Sequence, residues 1–149
     1  MPEATASDAP DHLFHGSPTP GLTALEPGRC VVDPADWAGV DAQGHKVLQS
    51  VVWLTPDRTA AVVFALKHLA EDLVLDARHQ VLYFVRSSPL PEDAHGWVYT
   101  VRRTASMRQI RGIEWYAPDP TAVVEAQRVT PAELAPIELR VVAELPAPP

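Results

Sequence analysis

The sequence predicts an α+β fold, in which a mostly antiparallel, split β-sheet is accompanied by one main helix. Three observations lead to this prediction. Short runs of β-branched and aromatic residues recur along the chain, one longer segment has the apolar spacing of an amphipathic helix, and the sixteen prolines cluster in loops and at both ends. Many strands with one long helix indicate the α+β class.

The domain organisation is simple. A chain of 149 residues suits one domain and is long enough to bury a core. We expect a disordered leader over 1–11, a single domain over 12–145 and a Pro-rich tail over 146–149, because consecutive prolines continue neither a helix nor a strand ladder. No internal repeat or domain linker is found between them.

The first element is predicted in the segment HLFHGSPTPGLTALEPG, residues 12–28. A short apolar run leads to His15 and predicts a strand that ends there. Gly16, Ser17 and Pro18 follow and predict a sharp turn. His15 is therefore either a residue that fills a strand end or the first residue of a binding site.

The next two elements are a strand over 47–54 (VLQSVVWL) and a helix over 56–73. Thr55 supplies a capping hydroxyl, Pro56 suits the first helical position, and Asp57 places an acid in the first turn. Apolar residues then recur at spacings of four, three and four, as on one helix face. These residues are Val62, Leu66, Leu69 and Leu73.

The second half of the chain predicts further strands. The segment 80–86 is apolar on both faces and should be central in a sheet, whereas 97–103 alternates less cleanly and should lie nearer an edge. The TPAE segment at 130–133 is a capping-box pattern that opens a short helical turn. The remaining strands are expected over 113–117, over 121–129 and near 137–145.

The composition excludes several classes of function. The net charge is −7, with a pI of about 5.2, which argues against double-stranded nucleic acid as a partner. No apolar stretch is long enough to span a bilayer, and the N-terminus has no secretory signal. With the lone Cys30, which forms no internal disulfide, these features predict a cytoplasmic protein and no membrane partner.

A small basic cluster is the exception to the acidic composition. It could hold a small anionic ligand such as a dinucleotide, but a solvated basic face is the preferred interpretation. Its members are Arg102, Arg103, Arg108 and Arg111.

Metal chemistry and the common catalytic motifs are not indicated. No two histidines have ligand spacing on the predicted helix, so we predict no metal site. The chain also has no glycine-rich phosphate loop, no His-Glu-x-x-His and no Gly-x-Ser-x-Gly. The six histidines are His12, His15, His45, His68, His79 and His95.

Three features remain as candidates for a site. His15 is followed by Gly16 and Ser17, where backbone can approach a ligand closely. Trp53 ends a strand directly before the capped helix, in WLTPD. Two acids, Glu114 and Asp119, flank the late strand segment IEWYAPDP. Each also has a structural interpretation: a strand-end histidine, a core tryptophan, an outward-facing strand acid and a turn former.

In this order the features resemble the ADP-ribosyltransferase superfamily, which carries a His, an aromatic residue (usually Tyr) and an acid on separate strands of a split sheet. LFHGS is similar to the first motif. VVWLTPDRTAAVVFAL is similar to the second, in which a strand leads into a helix. GWVYTV and EWYAPDP…VVEAQRV look like the later strands that deliver the acid, so the resemblance covers about residues 12–130.

The resemblance implies NAD as substrate. His15, with Gly16 and Ser17 beside it, would bind the ribose hydroxyls. Trp53, in the usual Tyr position, would stack on nicotinamide, since a cationic ring favours an aromatic face.

The catalytic acid implied by the resemblance is Asp119 or Glu114, and neither lies in the Gln/Glu-x-Glu triplet of the family. Such an acid orients the nucleophile and stabilises positive charge as the glycosidic bond breaks, as in sugar hydrolysis.

The first functional hypothesis is thus an ADP-ribosyltransferase, toxin-like or modifying, that releases nicotinamide and modifies an unknown acceptor. The second is a catalytically silent module that binds NAD, ADP-ribose or a protein partner such as an antitoxin. An RNA 2′-phosphotransferase and a purely structural interaction domain follow. The feature that discriminates among them is whether His15, Trp53 and one acid converge on one cleft.

Overall fold

The computed structural model describes residues 10–27, 30–31 and 50–145. Residues 1–9 of the expected leader over 1–11, the tail over 146–149 and His45 lie outside the described residues. Within those residues there are twelve strands, the helix α1 (Arg58–Leu66) and 3₁₀ turns at Lys67–Leu69 and Pro131–Leu134. The strands are β1 (His12–Ser17), β2 (Ala24–Leu25), β3 (Cys30–Val31), β4 (Ser50–Leu54), β5 (Asp72–Asp76), β6 (Val81–Val85), β7 (Gly96–Arg102), β8 (Arg108–Arg111), β9 (Glu114–Ala117), β10 (Thr121–Ala122), β11 (Glu125–Val129) and β12 (Glu138–Val142).

The predicted α+β class, with one main helix beside a split sheet, is wrong. The described residues are rich in β-structure, arranged in several small sheets, and α1 is nine residues long instead of running over 56–73. Leu69 lies in the 3₁₀ turn and Leu73 in β5, yet both pack against the same core cluster as the helix. The apolar spacing therefore reflects a shared core and not one continuous helix.

The start of α1 also differs from the prediction. The Asp57 carboxylate accepts hydrogen bonds from the backbone N–H groups of Thr59 (3.0 Å) and Ala60 (3.3 Å), so Asp57 is the N-cap and the helix begins at Arg58. The Thr55 hydroxyl instead accepts from the N–H of Asp57, at 3.0 Å. Two side chains thus order the turn between β4 and α1.

The central sheet has the order β1-β7-β11, with both pairings antiparallel. The expectation that segment 97–103 lies near an edge is wrong, because β7 is the middle strand. Its two faces serve different cores, since Val98 belongs to the cluster around α1 and Tyr99 and Val101 belong to the opposite cluster. A middle strand buried on both faces needs apolar residues on each, which weakens the alternation in its sequence.

A four-stranded sheet, β3-β4-β9-β8, lies beside the central sheet. The two sheets meet where β1 passes the end of β4. There the N–H of Phe14 donates to the Thr55 carbonyl (2.7 Å), and the N–H of Thr55 donates to the Phe14 carbonyl (2.9 Å). The predicted strand over 121–129 is divided into β10, which pairs with β2, and β11.

The outer sheet has the order β12-β6-β5, which confirms that the segment 80–86 is central. β5 pairs with β6 antiparallel, and β12 pairs with it parallel. The capping box at 130–133 is also confirmed, with Thr130 and Glu133 bonding each other's backbone N–H groups. The resulting 3₁₀ turn leads the chain into β12.

Two main clusters of buried side chains hold the described residues together. The helix-side cluster lies between α1, the central sheet and the outer sheet, and the sheet-side cluster joins the central and four-stranded sheets. No helix in the described part of the chain has the length and apolar character to cross a membrane. The helix-side cluster comprises Ala61, Val62, Ala65, Leu66, Leu82, Phe84, Val98, Val129 and Leu134. The sheet-side cluster comprises Leu13, Leu25, Val52, Leu54, Tyr99, Val101, Met107 and Ala117.

Candidate functional site

His15 lies on the face of β1 that is turned toward the sheet-side cluster. Leu13, two residues earlier, belongs to that cluster, and so does Tyr99, the cross-strand partner of His15. The Nδ1 atom of His15 lies 2.7 Å from the carbonyl oxygen of Trp53. Because a carbonyl oxygen accepts only, Nδ1 carries the proton and Nε2 is left as an acceptor. No described residue bonds Nε2, so a ligand hydroxyl could donate to it.

Burial controls the charge of this histidine. It lowers the pKa of His15 below the usual value of 6.5, and the hydrogen bond to the Trp53 carbonyl offsets part of that decrease. The imidazole is therefore neutral at pH 7, with one nitrogen fixed by the protein. A neutral imidazole with a fixed tautomer suits recognition of a hydroxyl better than recognition of a phosphate.

Gly16 faces the opposite way, toward α1. A Cβ added at this position would lie 2.0 Å from the carbonyl oxygen of Ala61 and 2.5 Å from the backbone nitrogen of Ala65. Gly96, on β7, has the same relation to the helix, with an added Cβ 2.0 Å from the Ala65 carbonyl oxygen. The close backbone approach that the sequence suggested at Gly16 is thus made by α1.

Ser17 lies on the same face as His15, but its hydroxyl is turned to the following loop. The residue is 8% exposed, and its Oγ accepts a hydrogen bond from the N–H of Thr19 at 3.1 Å. Tyr99 fixes the same loop, since its hydroxyl donates to the Thr19 carbonyl and accepts from the N–H of Leu22 at 3.3 Å. The loop after β1 is therefore tied to the central sheet by two side chains.

Trp53 lies on the other face of β4 from Val52 and Leu54, which belong to the sheet-side cluster. Its half-buried ring packs in a third, small cluster. The structure thus joins His15 to Trp53 through the Trp53 backbone, and the two side chains point to different faces. The other members of this third cluster are Val51, Ile110 and Tyr116.

The two candidate acids lie at opposite ends of the β9 region. Glu114 begins β9, next to Trp115, which pairs with Leu54 of β4. Its carboxylate accepts from the Arg111 guanidinium, with Nε and Oε2 2.7 Å apart. Asp119 follows the far end of β9 in an exposed turn, where its backbone carbonyl accepts from the Thr121 hydroxyl at 3.0 Å.

The pairings place Glu114 closer to His15 than Asp119. β4 has β9 on one side, and its end is bonded to β1 on the other. Thr55 follows Leu54, and Glu114 precedes Trp115, so in an antiparallel pair these two residues come opposite one another. Neighbouring strands are about 5 Å apart, so Glu114 and β1 are separated at the backbone by about 10 Å.

The basic cluster largely makes structural contacts. The Arg103 side chain donates to the Pro10 carbonyl (2.6 Å), that of Arg108 donates to the Ala105 carbonyl (2.6 Å), and that of Arg111 pairs with Glu114. These bonds fix the chain before β1 and the hairpin of β8 and β9. Three of the four arginines are thus engaged by backbone carbonyls or a carboxylate of the protein itself.

One tryptophan that sequence reasoning missed lies close to His15. Trp97 pairs with Ser17 across β1 and β7, on the His15 face, and its half-buried ring packs on the sheet-side cluster. Its Nε1 is buried, and it has no hydrogen-bond partner among the described residues. No sequence signal identifies it, because its place beside His15 depends on the pairing of β1 with β7.

An open cavity of about 530 Å³ lies beside the C-terminal end of α1, which packs on the face of β1 opposite His15. It begins at Pro18, directly after β1, and continues past the end of α1 to the start of β5. Its lining residues are Pro18, Phe64, Lys67, His68, Ala70, Glu71, Asp72 and Leu73.

Among the described residues, no three His, Cys, Asp or Glu side chains converge as metal ligands. In comparisons with known proteins, no family model, curated protein or solved structure matches the chain. The family resemblance therefore depends on the sequence motifs alone.

Proposed function

We propose that this protein binds NAD where β1 meets β4 and transfers its ADP-ribose to an acceptor, with release of nicotinamide. The observation that supports the proposal is the position of its candidate residues on three neighbouring strands. His15 lies on β1, Trp53 on β4 and Glu114 on β9, and the His15 imidazole is bonded directly to the Trp53 backbone.

In this proposal His15 accepts a hydrogen bond from a ribose hydroxyl through Nε2. The nicotinamide lies at the end of β4. The Trp53 ring packs on the other face of that strand from the His15 contact, so it meets the nicotinamide only if the end of β4 rearranges. Glu114 stabilises the positive charge that develops at the anomeric carbon as the glycosidic bond breaks. Its ion pair with Arg111 must open for this role.

The silent NAD-binding or ADP-ribose-binding module is the second candidate, and two observations favour it. The Trp53 ring packs against Val51, Ile110 and Tyr116, and the Glu114 carboxylate is held by Arg111. A binding role needs His15 but neither of these groups to move. In both cases the proposed compartment is the cytoplasm, where NAD is present, and a protein acceptor or an antitoxin is the proposed partner.

The experiment measures nicotinamide release from NAD with and without cell extract, together with ligand-detected NMR of NAD binding. The test variant is His15→Ala, and His12→Ala on the same strand is the matched control. We expect His15→Ala to weaken NAD binding at least about tenfold, since a hydrogen bond to a neutral imidazole contributes about 1.5 kcal/mol. His12→Ala should bind as wild type does.

Variants of the two candidate acids distinguish the transferase from the silent module. We expect Glu114→Gln to abolish release while NAD still binds, and Asp119→Asn to leave release unchanged. Binding without release in wild type, even with extract, would favour the silent module. Wild-type protein that neither binds nor cleaves NAD would refute the transferase and the NAD-binding module.

A further inference from the structure

β5 is an edge strand with an unusual amount of exposed apolar surface. It pairs with β6 on one side, and no strand of the described residues pairs with its other side. Val74 and Leu75 are 43% and 47% exposed. We propose that this edge binds an extended segment of a partner protein, which adds a strand to the outer sheet and has the pattern basic–x–apolar–x–basic.

The backbone groups available to such a segment follow from the bonds of β6. The N–H of Glu138 donates to the Gln80 carbonyl (2.8 Å), and the N–H of Arg86 donates to the Val142 carbonyl (2.9 Å), so even-numbered residues of β6 face β12. The odd-numbered residues therefore bond β5, where they pair with residues 72, 74 and 76. The N–H and carbonyl groups of Leu73 and Leu75 are left pointing to the open edge.

The cavity beside α1 provides a place for an anchoring side chain. It reaches the first residues of β5, and its lining includes Phe64, which is 57% exposed. The Lys67 ammonium stands over the Phe64 ring, 5.8 Å from its centre. Strand addition typically obtains affinity from main-chain hydrogen bonds and specificity from pockets for alternate side chains. Here the open edge of β5 supplies the main-chain groups, and the cavity supplies a pocket.

The charges on β5 select the kind of partner. Its sequence DLVLD places Asp72 and Asp76 at its two ends, on the face that also carries Val74. A second copy of this chain, paired antiparallel about Val74, would set Asp72 of one copy opposite Asp76 of the other. Like charges directly opposite each other are destabilising, whereas lysine or arginine at these positions forms favourable pairs. The Asp72 carboxylate is the stronger determinant, because the Asp76 carboxylate already contacts His79, with Oδ2 2.8 Å from Nδ1. The edge therefore favours a basic segment over a second copy.

Asp72 protects the edge when no partner is present. Its carboxylate accepts a hydrogen bond from the N–H of Leu73 at 2.8 Å, and this N–H is one of the two that point to the open edge. A cation on the incoming segment draws the carboxylate away and leaves the N–H for a peptide carbonyl. Edge strands commonly carry charges that oppose unwanted pairing, and here only a basic segment removes the obstacle.

The test uses the full chain and a capped peptide of sequence lysine–leucine–valine–leucine–lysine, which is β5 with both acids replaced. We expect the peptide to shift the amide NMR signals of Leu73 and Leu75, and to slow their hydrogen exchange at least tenfold at saturation. The acidic peptide with the sequence of β5 itself should bind at least tenfold more weakly. Asp72→Asn should weaken binding of the lysine peptide about threefold.

Two methylated peptides distinguish strand addition from simple charge attraction without altering the protein. Methylation of both leucine nitrogens removes the groups that would pair with Leu73 and Leu75 and should abolish binding. Methylation of the valine nitrogen, which points away in the same register, should leave the affinity within about twofold. The proposal would be overturned if the two methylated peptides bound equally well. It would also be overturned if the NMR signal changes were confined to β12, or if millimolar lysine peptide changed no signal. Self-association of the wild-type protein through the Leu73 and Leu75 backbone would also overturn it.

Discussion

The two faces of β1 have different tasks, although their residues alternate within a stretch of six. One face carries Phe14 and Gly16 and packs against α1 so tightly that an added Cβ at Gly16 would lie 2.0 Å from a helix carbonyl. The other carries His15 and Ser17, whose polar atoms bond the backbone of neighbouring segments. The first face sets the distance between sheet and helix, and the second orders a loop and leaves one imidazole nitrogen available.

This difference shows how a short motif can combine two constraints. In the sequence, His15, Gly16 and Ser17 are consecutive, and all three were predicted to contact a ligand. In the structure, strand alternation separates them, so that Gly16 contacts the helix and its neighbours face away from it. Substitutions within the motif should therefore have different consequences at successive positions.

The largest effect is expected from Gly16→Ala, on the face of β1 that packs against α1. The new methyl group collides with backbone atoms, which cannot move away as a flexible side chain would. We expect the free energy of unfolding to fall by about 3 kcal/mol. Urea denaturation measures it, with Gly112→Ala as control. Gly112 has a positive φ of 51° but open space around it, so backbone strain alone should lower its stability by about 1 kcal/mol. Equal losses for both variants would contradict the packing explanation.

A smaller effect is expected on the His15 side from Tyr99→Phe. The change removes the hydroxyl that bonds the Thr19 carbonyl and the N–H of Leu22, and it leaves those groups without that partner. We expect a loss of about 2 kcal/mol in unfolding free energy and faster amide exchange at Leu22. Unchanged exchange there would show that other contacts hold the loop.

A third, smaller effect is expected at the turn that leads into the helix-side cluster. Thr130→Ala removes one half of the capping box that leads Leu134 into the helix-side cluster. We expect a loss of about 1 kcal/mol, as for other helix caps. Thermal unfolding of Thr130→Ser, which keeps the hydroxyl, should match wild type. If the serine variant loses as much as the alanine variant, the cap is not the cause.

The smallest expected effect is a change with pH that depends on His15. Burial lowers the pKa of His15 in the folded protein below 6.5, so the unfolded chain takes up the proton first as the pH falls. The contribution of His15 is therefore complete above pH 6.5 and decreases below it, until the folded-state pKa is passed. Urea denaturation between pH 5 and pH 7.5 should show a steeper decrease for wild type than for His15→Gln. Parallel curves would mean that His15 is not buried as described.

Much of the β-structure could be predicted from sequence, because it depends on local composition. The apolar segment 80–86 indicated a central strand, and the TPAE segment indicated a capped turn. The helix was overextended because Leu69 and Leu73 continue its spacing, although they reach the same cluster from a 3₁₀ turn and a strand. Periodicity reports which residues share a core, and tertiary contacts decide how the backbone brings them there.

The site residues were named from motifs, and their grouping depends on strand pairings that no motif contains. The proximity of His15 to the Trp53 backbone follows from two hydrogen bonds between Phe14 and Thr55. The choice of Glu114 over Asp119 as the acid nearer to β1 follows from the register of β4 and β9. Trp97 and Tyr99 were missed for the same reason, since their relation to His15 exists only after β1 and β7 pair.

The position of β1 in the chain has a consequence for folding. β1 leaves the ribosome before β7, yet it pairs with that strand along its whole length, and α1, β5 and β6 are made between them. Until β7 emerges, Leu13 and Phe14 lack their β7 partners, and α1 lacks the part of its packing surface that β7 supplies. Such long-range pairing slows folding and prolongs exposure of apolar segments. We therefore expect nascent chains that end before residue 96 to depend on chaperones.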